Sequence, residues 1–384
     1  MLRRAASYYP LAITVLFGLL VSFLPVSPVL GDNIGACPGL TASSATVKLG
    51  GREIPPNQIL LANGGQPCDA GVPKFYLVSM SHTLVVSPTG TSTQNGAALL
   101  SAMITISNSN PSVDNPWLLK VEPGNYYLGK QSLTLKPYVD LEGSGEDTTS
   151  ISSDMGGNGT LVMASNSEAR FVSIVTAGPI FSTAIVVPVN ITNAHLTHVT
   201  ASGSATGSPS QAYGLYNYGG TITLQNCTLL ATAYSSSSGI YNETGTTTVQ
   251  ESTLSASGAV YNYGLSNNNG TFNLQHSNVS ATGGTNSYAV NNTKTLTVQE
   301  SALTASSSNT NYALFSSGNA TVHASQLTAS GGSVSYGLNS GGGKTQIGAS
   351  QLSGGNGPTW TSSTGMTCVA SYNGSFTPVN ALCQ

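Results

Sequence analysis

Residues 239–263 read GIYNETGTTTVQESTLSASGAVYNY, and residues 264–288 read GLSNNNGTFNLQHSNVSATGGTNSY. Set one beneath the other, the two stretches keep their small, apolar and polar positions in step. The same register extends in both directions. A small-aliphatic pair opens each unit at Gly214-Leu215, Gly239-Ile240, Gly264-Leu265, Ala289-Val290, Ala313-Leu314 and Gly337-Leu338, in steps of 25, 25, 25, 24 and 24 residues. A second apolar column runs Leu224, Val249, Leu274, Val298, Val322, Ile347, and a third runs Leu229, Leu254, Val279, Leu303, Leu327, Leu352. An internal period of this length is the mark of a repeat architecture.

Within a unit the apolar residues fall in three short stretches separated by Gly, Asn and Ser, which suits strands and not helices. Three short strands and three bends close one turn of a parallel β-helix, and successive turns then stack at the strand spacing of about 4.8 Å. The expected fold is all-β: a right-handed parallel β-helix with coils of roughly 25 residues. The polar columns fit this stacking. Asn217, Asn242, Asn267 and Asn292 recur two residues after the aliphatic anchor. Asn at a tight bend accepts left-handed backbone, and its amide pairs with the coils on either side. Cys227, Ser252, Ser277, Ser301, Ser325 and Ser350 precede the third apolar column by two residues and should share its inward face. By the same alternation, Tyr213, Tyr263, Tyr288, Tyr312 and Tyr336 are expected to point inward as a structural stack; facing outward they would make a sugar-stacking platform.

Upstream the pattern changes. Leu84-Val85-Val86 is strand-like, and Thr93 opens a helical pattern through Ala97, Leu99, Leu100, Met103 and Ile106. Then come Trp117 to Val121, Pro123-Gly124-Asn125-Tyr126, Leu133-Thr134-Leu135, Val139 to Gly145 and Thr149-Ser150-Ile151. This order resembles the N-terminal cap of the pectin lyase-like superfamily: a strand, a capping helix, a strand, then PG-x-Y, L-x-L, V-x-L-x-G-x-G and T-x-I. The resemblance covers roughly residues 83–356. It implies a helix laid across the open end of the solenoid, where apolar cross-section and strand edges would otherwise meet water.

The ends of the chain read as follows. Arg3 and Arg4, then the apolar run from Leu11 to Leu24 and a cleavage site at Val29-Leu30-Gly31, make residues 1–31 a signal peptide. Export brings the cysteines to an oxidising compartment. Residues 32–82 form an N-terminal segment bracketed by Cys37 and Cys68, and residues 357–384 form a tail holding Cys368 and Cys383. Two local disulfides, Cys37–Cys68 and Cys368–Cys383, with Cys227 a buried free thiol, are the simplest pairing. Residues 83–183 are the cap and first coils, and 184–356 the regular coils.

Chemistry is sparse. Charged residues make up 7% of the chain and the net charge is −3, which leaves no clustered Lys/Arg face for nucleic acid. Nothing calls for a membrane partner beyond the signal peptide, or for a cofactor. The family resemblance implies carbohydrate chemistry: hydrolases with paired carboxylates, lyases with calcium-binding acids and a base, esterases with two Asp and an Arg. This chain has no Asp after Asp154 and no Arg after Arg170, so no catalytic residue is carried over. One stacked group remains. Glu251, His276 and Glu300 fall at one position of successive coils, placing the two carboxylates about 9–10 Å apart with the imidazole between them. A solvated polar column is the plainer reading; an acid–base pair or a Glu-His-Glu metal site is the sharper one. His195 and His198 as a metal pair, and Glu142, Glu146, Asp147 and Asp154 as a calcium loop, are weighed against solvated surface in the same way. The sequence thus points to an exported, non-enzymatic β-helix protein of adhesin-like or glycan-binding type, with a polysaccharide as partner. The alternative is a divergent polysaccharide-active hydrolase or lyase.

Overall fold

The computed structural model describes residues 47–49, 52–54, 82–361 and 365–384. The expected signal peptide and the Cys37–Cys68 bridge lie outside the described residues. Two short strands, Val47–Leu49 and Arg52–Ile54, pair antiparallel. From His82 onward the chain winds into a parallel β-solenoid of about 10 turns.

One coil shows the plan. Ser236–Asn242 lies in sheet 1, Thr246–Gln250 in sheet 2 and Thr253–Ser257 in sheet 3. Each pairs in parallel with its equivalent 25 residues on: Ile240 with Leu265, Val249 with Leu274, Leu254 with Val279. Sheet 1 has ten strands, from Leu133–Thr134 to Gly357–Thr361. Sheets 2 and 3 are joined where Ser167–Gly178 and Ala194–Ala205 run through the corner between them. All three apolar columns are inside: Leu215, Leu224, Leu229 and their equivalents are buried to within 2%. Burial of aliphatic columns at every coil is the main stabilising term, at about 25 cal/mol per Å² of apolar surface.

Two polar columns are buried with them. The Asn242 amide donates to Asn267 Oδ1 and the Asn267 amide to Asn292 Oδ1, both at 2.8 Å, and Asn292 donates to Ser316 Oγ at 3.0 Å. Asn242 and Asn267 also donate back within their own coils, to the Gly245 and Gly270 carbonyls. A Cβ on Gly245 would stand 2.3 Å from the Asn217 amide nitrogen, so the residue after the bend must be bare. The ladder is as expected, but its backbone is not left-handed. The left-handed residues are instead Asn226, Glu251, His276, Glu300, Ala324 and Ala349, with φ between +47° and +52°. Each stands with the residue after it at the corner between sheet 2 and sheet 3, where left-handed backbone redirects the chain. The inward Ser column follows: Ser252, Ser277 and Ser301 each donate to the carbonyl two residues back and accept the amide of the coil before. Cys227 occupies this column as a buried free thiol, and burial pushes its pKa up to about 12.

The capping helix runs Ser92–Asn108, and Thr91 and Gln94 form its capping box. Leu99, Ala102, Met103 and Ile106 are buried against the first coils. Ala97, also in the helical pattern, is exposed. Buried Asn95 accepts the amides of Thr89 and Gly90 and donates to the Asn125 carbonyl, which ties the helix to the strand Gly124–Tyr127 beneath it. At the other end the Cys368–Cys383 disulfide is formed, with Cα atoms 5.2 Å apart, and Cys383 is wholly buried.

Candidate functional site

The corner column carries the residues singled out from the sequence. Left-handed backbone aims their side chains out from the corner. His276 Nε2 lies 2.9 Å from Glu300 Oε2, and both side chains are 58% exposed. Beyond them the flanking positions shrink to Ala302 and Ala324, leaving a shallow open recess also lined by Asn278 and Gln326. Glu251, one coil earlier, forms no ion pair among those found in the described residues. The expected stack of three is therefore a pair plus a separate carboxylate. Among the described residues no three His, Cys, Asp or Glu side chains converge as a metal site would require. His195 bonds Asn193 at 3.0 Å, while His198 stacks on Phe171 and lies 3.9 Å from Glu146, so the two histidines serve different neighbours.

The expected acidic loop is also dispersed. Asp154 accepts from the Tyr127 hydroxyl, and Glu146 from Thr200. Glu142 belongs to a cluster that sequence reading missed. Arg170 bonds Glu142 and Glu168 at 2.8 Å and Asp140 at 3.3 Å, and Lys120 bonds the other oxygen of Glu142 at 2.6 Å. These groups face outward on sheet 2, at register positions Lys120–Glu142–Arg170 of consecutive coils. Burial raises the Asp140 pKa to about 6, against the pull of the Glu168 backbone amide and Arg170. Burial also raises Glu142, but its bonds to Lys120 and Arg170 outweigh this and hold it below the usual value. The signal in the sequence was the alternation Asp140-x-Glu142 and Glu168-x-Arg170. Unequal coil lengths in this region hid the fact that the two pairs stack.

The largest departure concerns the tyrosines, which the alternation placed inside. They lie on the outer face of sheet 1, outside the apolar core cluster. The reason is a break in alternation. Gly214 and Leu215 both face inward: a Cβ on Gly214 would meet Leu229 Cβ at 3.1 Å and the Gly239 carbonyl at 2.6 Å. Two successive inward residues reverse the phase, so Tyr213 points out, as Tyr216 does. Their rings meet edge to face at 5.1 Å.

On this face Tyr263, Tyr288, Tyr312 and Tyr336 form a ladder with centroids 5.3, 5.7 and 6.4 Å apart. Neighbouring rings stack or tilt against one another along the axis. Burial pushes the Tyr263 hydroxyl up to about 12, which keeps it a hydrogen-bond donor. The flanking columns are Gln211, Ser236, Tyr261, Asn286, Thr310, Val334 on one side and Tyr216, Tyr241, Ser266, Asn291, Phe315, Asn339, Trp360 on the other. Tyr261 and Trp360 are each 45% exposed. No residue in these columns is charged. At the N-terminal end Tyr213, Tyr216, Tyr218 and Tyr241 pack into one cluster, and the Tyr216 hydroxyl donates to Glu243 at 3.0 Å. Such a surface offers aromatic contact and neutral hydrogen bonding over six coils.

No family model matches this chain, and no curated protein matches it. Among solved structures it is similar to DFA-IIIase from Arthrobacter chlorophenolicus A6 in complex with GF2, at 13% identity and a TM-score of 0.46, over 77% of this chain and 84% of that one. It is also similar to the Dettilon tailspike protein gp208, at 13% identity and a TM-score of 0.44, over 75% of this chain. The match covers 61% of the tailspike chain, so this chain spans about three fifths of its length. A third likeness is to the A-module of the Azotobacter vinelandii mannuronan C-5 epimerase AlgE4, at 12% identity and a TM-score of 0.39, over 73% of this chain and 87% of that one. The strand register and capping helix described above make the chain a capped parallel β-solenoid.

Proposed function

We propose that this protein is an exported, glycan-binding β-helix protein that works at the cell surface or in the extracellular space. The observation that carries the reading is the outer face of sheet 1, where an aromatic ladder is flanked on both sides by amides and hydroxyls and holds no charged residue in its columns. Sugars present weakly polar C–H faces and dense hydroxyls, and aromatic rings with neutral hydrogen-bonding groups match both. Exposed rings such as Tyr261 and Trp360 would otherwise be an unexplained apolar cost in so polar a surface. The disulfide at the C-terminal end fits an oxidising location.

The test is a glycan panel measured with purified protein for both binding and turnover, beside the variants Tyr261→Ala and Trp360→Ala. Both rings are exposed, so the fold should survive, as circular dichroism would verify. Binding that weakens about tenfold or more in the variants, as expected for lost aromatic anchors, supports the reading. A panel with no bound glycan, or binding indifferent to both substitutions, overturns it. Turnover that disappears in Glu300→Gln would instead favour an enzyme working at the His276–Glu300 corner.

A further inference from the structure

Glu243 stands at the N-terminal rim of the aromatic face. Its Oε2 accepts from the Tyr216 hydroxyl at 3.0 Å. Tyr216 stacks on Tyr218 at 4.1 Å and leans on Tyr241 at 4.8 Å, and Tyr213 meets both Tyr216 and Tyr241 edge to face. Tyr218 closes the group and is 39% exposed. Some carboxylates of this protein are matched with cations, as Asp140, Glu142 and Glu168 are with Arg170 and Glu300 is with His276, while others such as Glu251 are not. Glu243 forms no such pair among the described residues. By register the nearest cationic residue on this rim is Lys294, two coils beyond Thr244 and so about 10 Å along the axis.

The field here is negative on two counts. The carboxylate of Glu243 stands at the rim with no cation beside it, and ring faces carry the negative side of the aromatic quadrupole. Burial, and after it the charge of Glu243, holds the hydroxyls of Tyr216, Tyr218 and Tyr241 above their ordinary value, so they stay neutral donors and add no charge of their own.

We propose that Glu243 with Tyr216, Tyr218 and Tyr241 is a subsite for a protonated amine, so that the glycan taken by this face is an amino-sugar polymer bearing free amines. The proposal rests on the glycan-binding reading above and narrows it to a ligand class. The ammonium completes the ion pair that Glu243 lacks and lies against the exposed ring of Tyr218, while the rest of the sugar chain meets the neutral ladder. An N-acetylated polymer keeps the ring and hydroxyl contacts but loses the charge. A uronate polymer is repelled.

The experiment compares hexamers of glucosamine, N-acetylglucosamine and galacturonate by calorimetry at pH 6, where the amine is protonated. The free amine hexamer should bind about tenfold tighter than the acetylated one, a typical size for a carboxylate and ring acting together on a cation. Glu243→Gln keeps an acceptor for Tyr216 and should abolish that preference. Tyr218→Ala, at an exposed position, should reduce the preference several-fold. Raising salt to several times physiological strength should shrink it as well. Equal binding of the two hexamers, or a preference that persists in Glu243→Gln, overturns the proposal and leaves the broader glycan reading standing. If no glycan on the panel binds, both fall.

Discussion

Asp140 is the residue whose environment departs most from what its neighbours in the sequence suggest. Its carboxylate accepts from the Glu168 amide and from Arg170, 28 and 30 residues away, yet it is so far removed from water that its pKa is raised from 3.8 to about 6. An acid whose pKa is higher in the folded chain than in the unfolded one favours the fold in its protonated form. Its contribution is therefore complete below about pH 4 and is lost as pH rises through 6, amounting to about 2–3 kcal/mol at most. Glu142 has the opposite sign: its contribution is present above the usual carboxylate range and is lost as pH falls through its lowered pKa. Urea midpoints should thus fall gently between pH 4 and 7, and fall again in stronger acid. Asp140→Asn retains an acceptor for the Glu168 amide and should flatten the first of these slopes. A wild-type midpoint that is level from pH 4 to 7, or a slope that Asp140→Asn leaves intact, would count against this account. None of it could be read from the sequence, because the partners meet only after three coils of unequal length are stacked.

The capping helix shows how one element depends on a single missing side chain. A Cβ added to Gly96 would stand 2.0 Å from the Tyr127 carbonyl oxygen, so the helix seats itself backbone to backbone on the coil below. Gly96→Ala, normally favourable inside a helix, should here destabilise by about 1–3 kcal/mol, because either the helix or the strand Gly124–Tyr127 must move. Unchanged or improved stability in denaturant would refute that. The helix itself was legible: its pattern from Thr93 to Ile106 lies within the observed Ser92–Asn108. So were the three apolar columns and the inward Ser column, because coils stacked in fixed register repeat their burial at fixed sequence intervals. What failed was the face of the tyrosines. Alternation is a rule for an unbroken strand, and Gly214-Leu215 interrupts it with two inward residues. The small residue that opens each unit was the visible sign, since only Gly or Ala fits where sheet 1 closes against sheet 3.

At the scale of the molecule, coils touch only the coils beside them, so stability is built from neighbour contacts and the two ends need separate protection. The C-terminal end is closed by its tail. The Cys368 amide donates to the Ala381 carbonyl, Thr359 donates to the Cys383 carbonyl, and the disulfide fixes the tail across the last coil. Reducing the bridge, or Cys383→Ser, should cost about 3 kcal/mol for a loop of this length, and the loss should be local. Hydrogen exchange should quicken in Gln351–Gly354 and Met366–Val369 while Ser236–Ser257 stays protected. Equal quickening in every coil would show the solenoid to be a single cooperative block. The buried asparagine ladder has a consequence for ancestry. Because Asn242 offers its amide to Asn267 just as Asn267 offers its own to Asn292, 25 residues apart, excision of residues 246–270 would bring Asn242 against Asn292 with every column still in phase. Duplication of the same stretch would insert one more matched rung. A gene of this kind gains or loses whole coils by unequal recombination without exposing an unmatched amide, so copy number can drift among descendants while the two closed ends stay as they are.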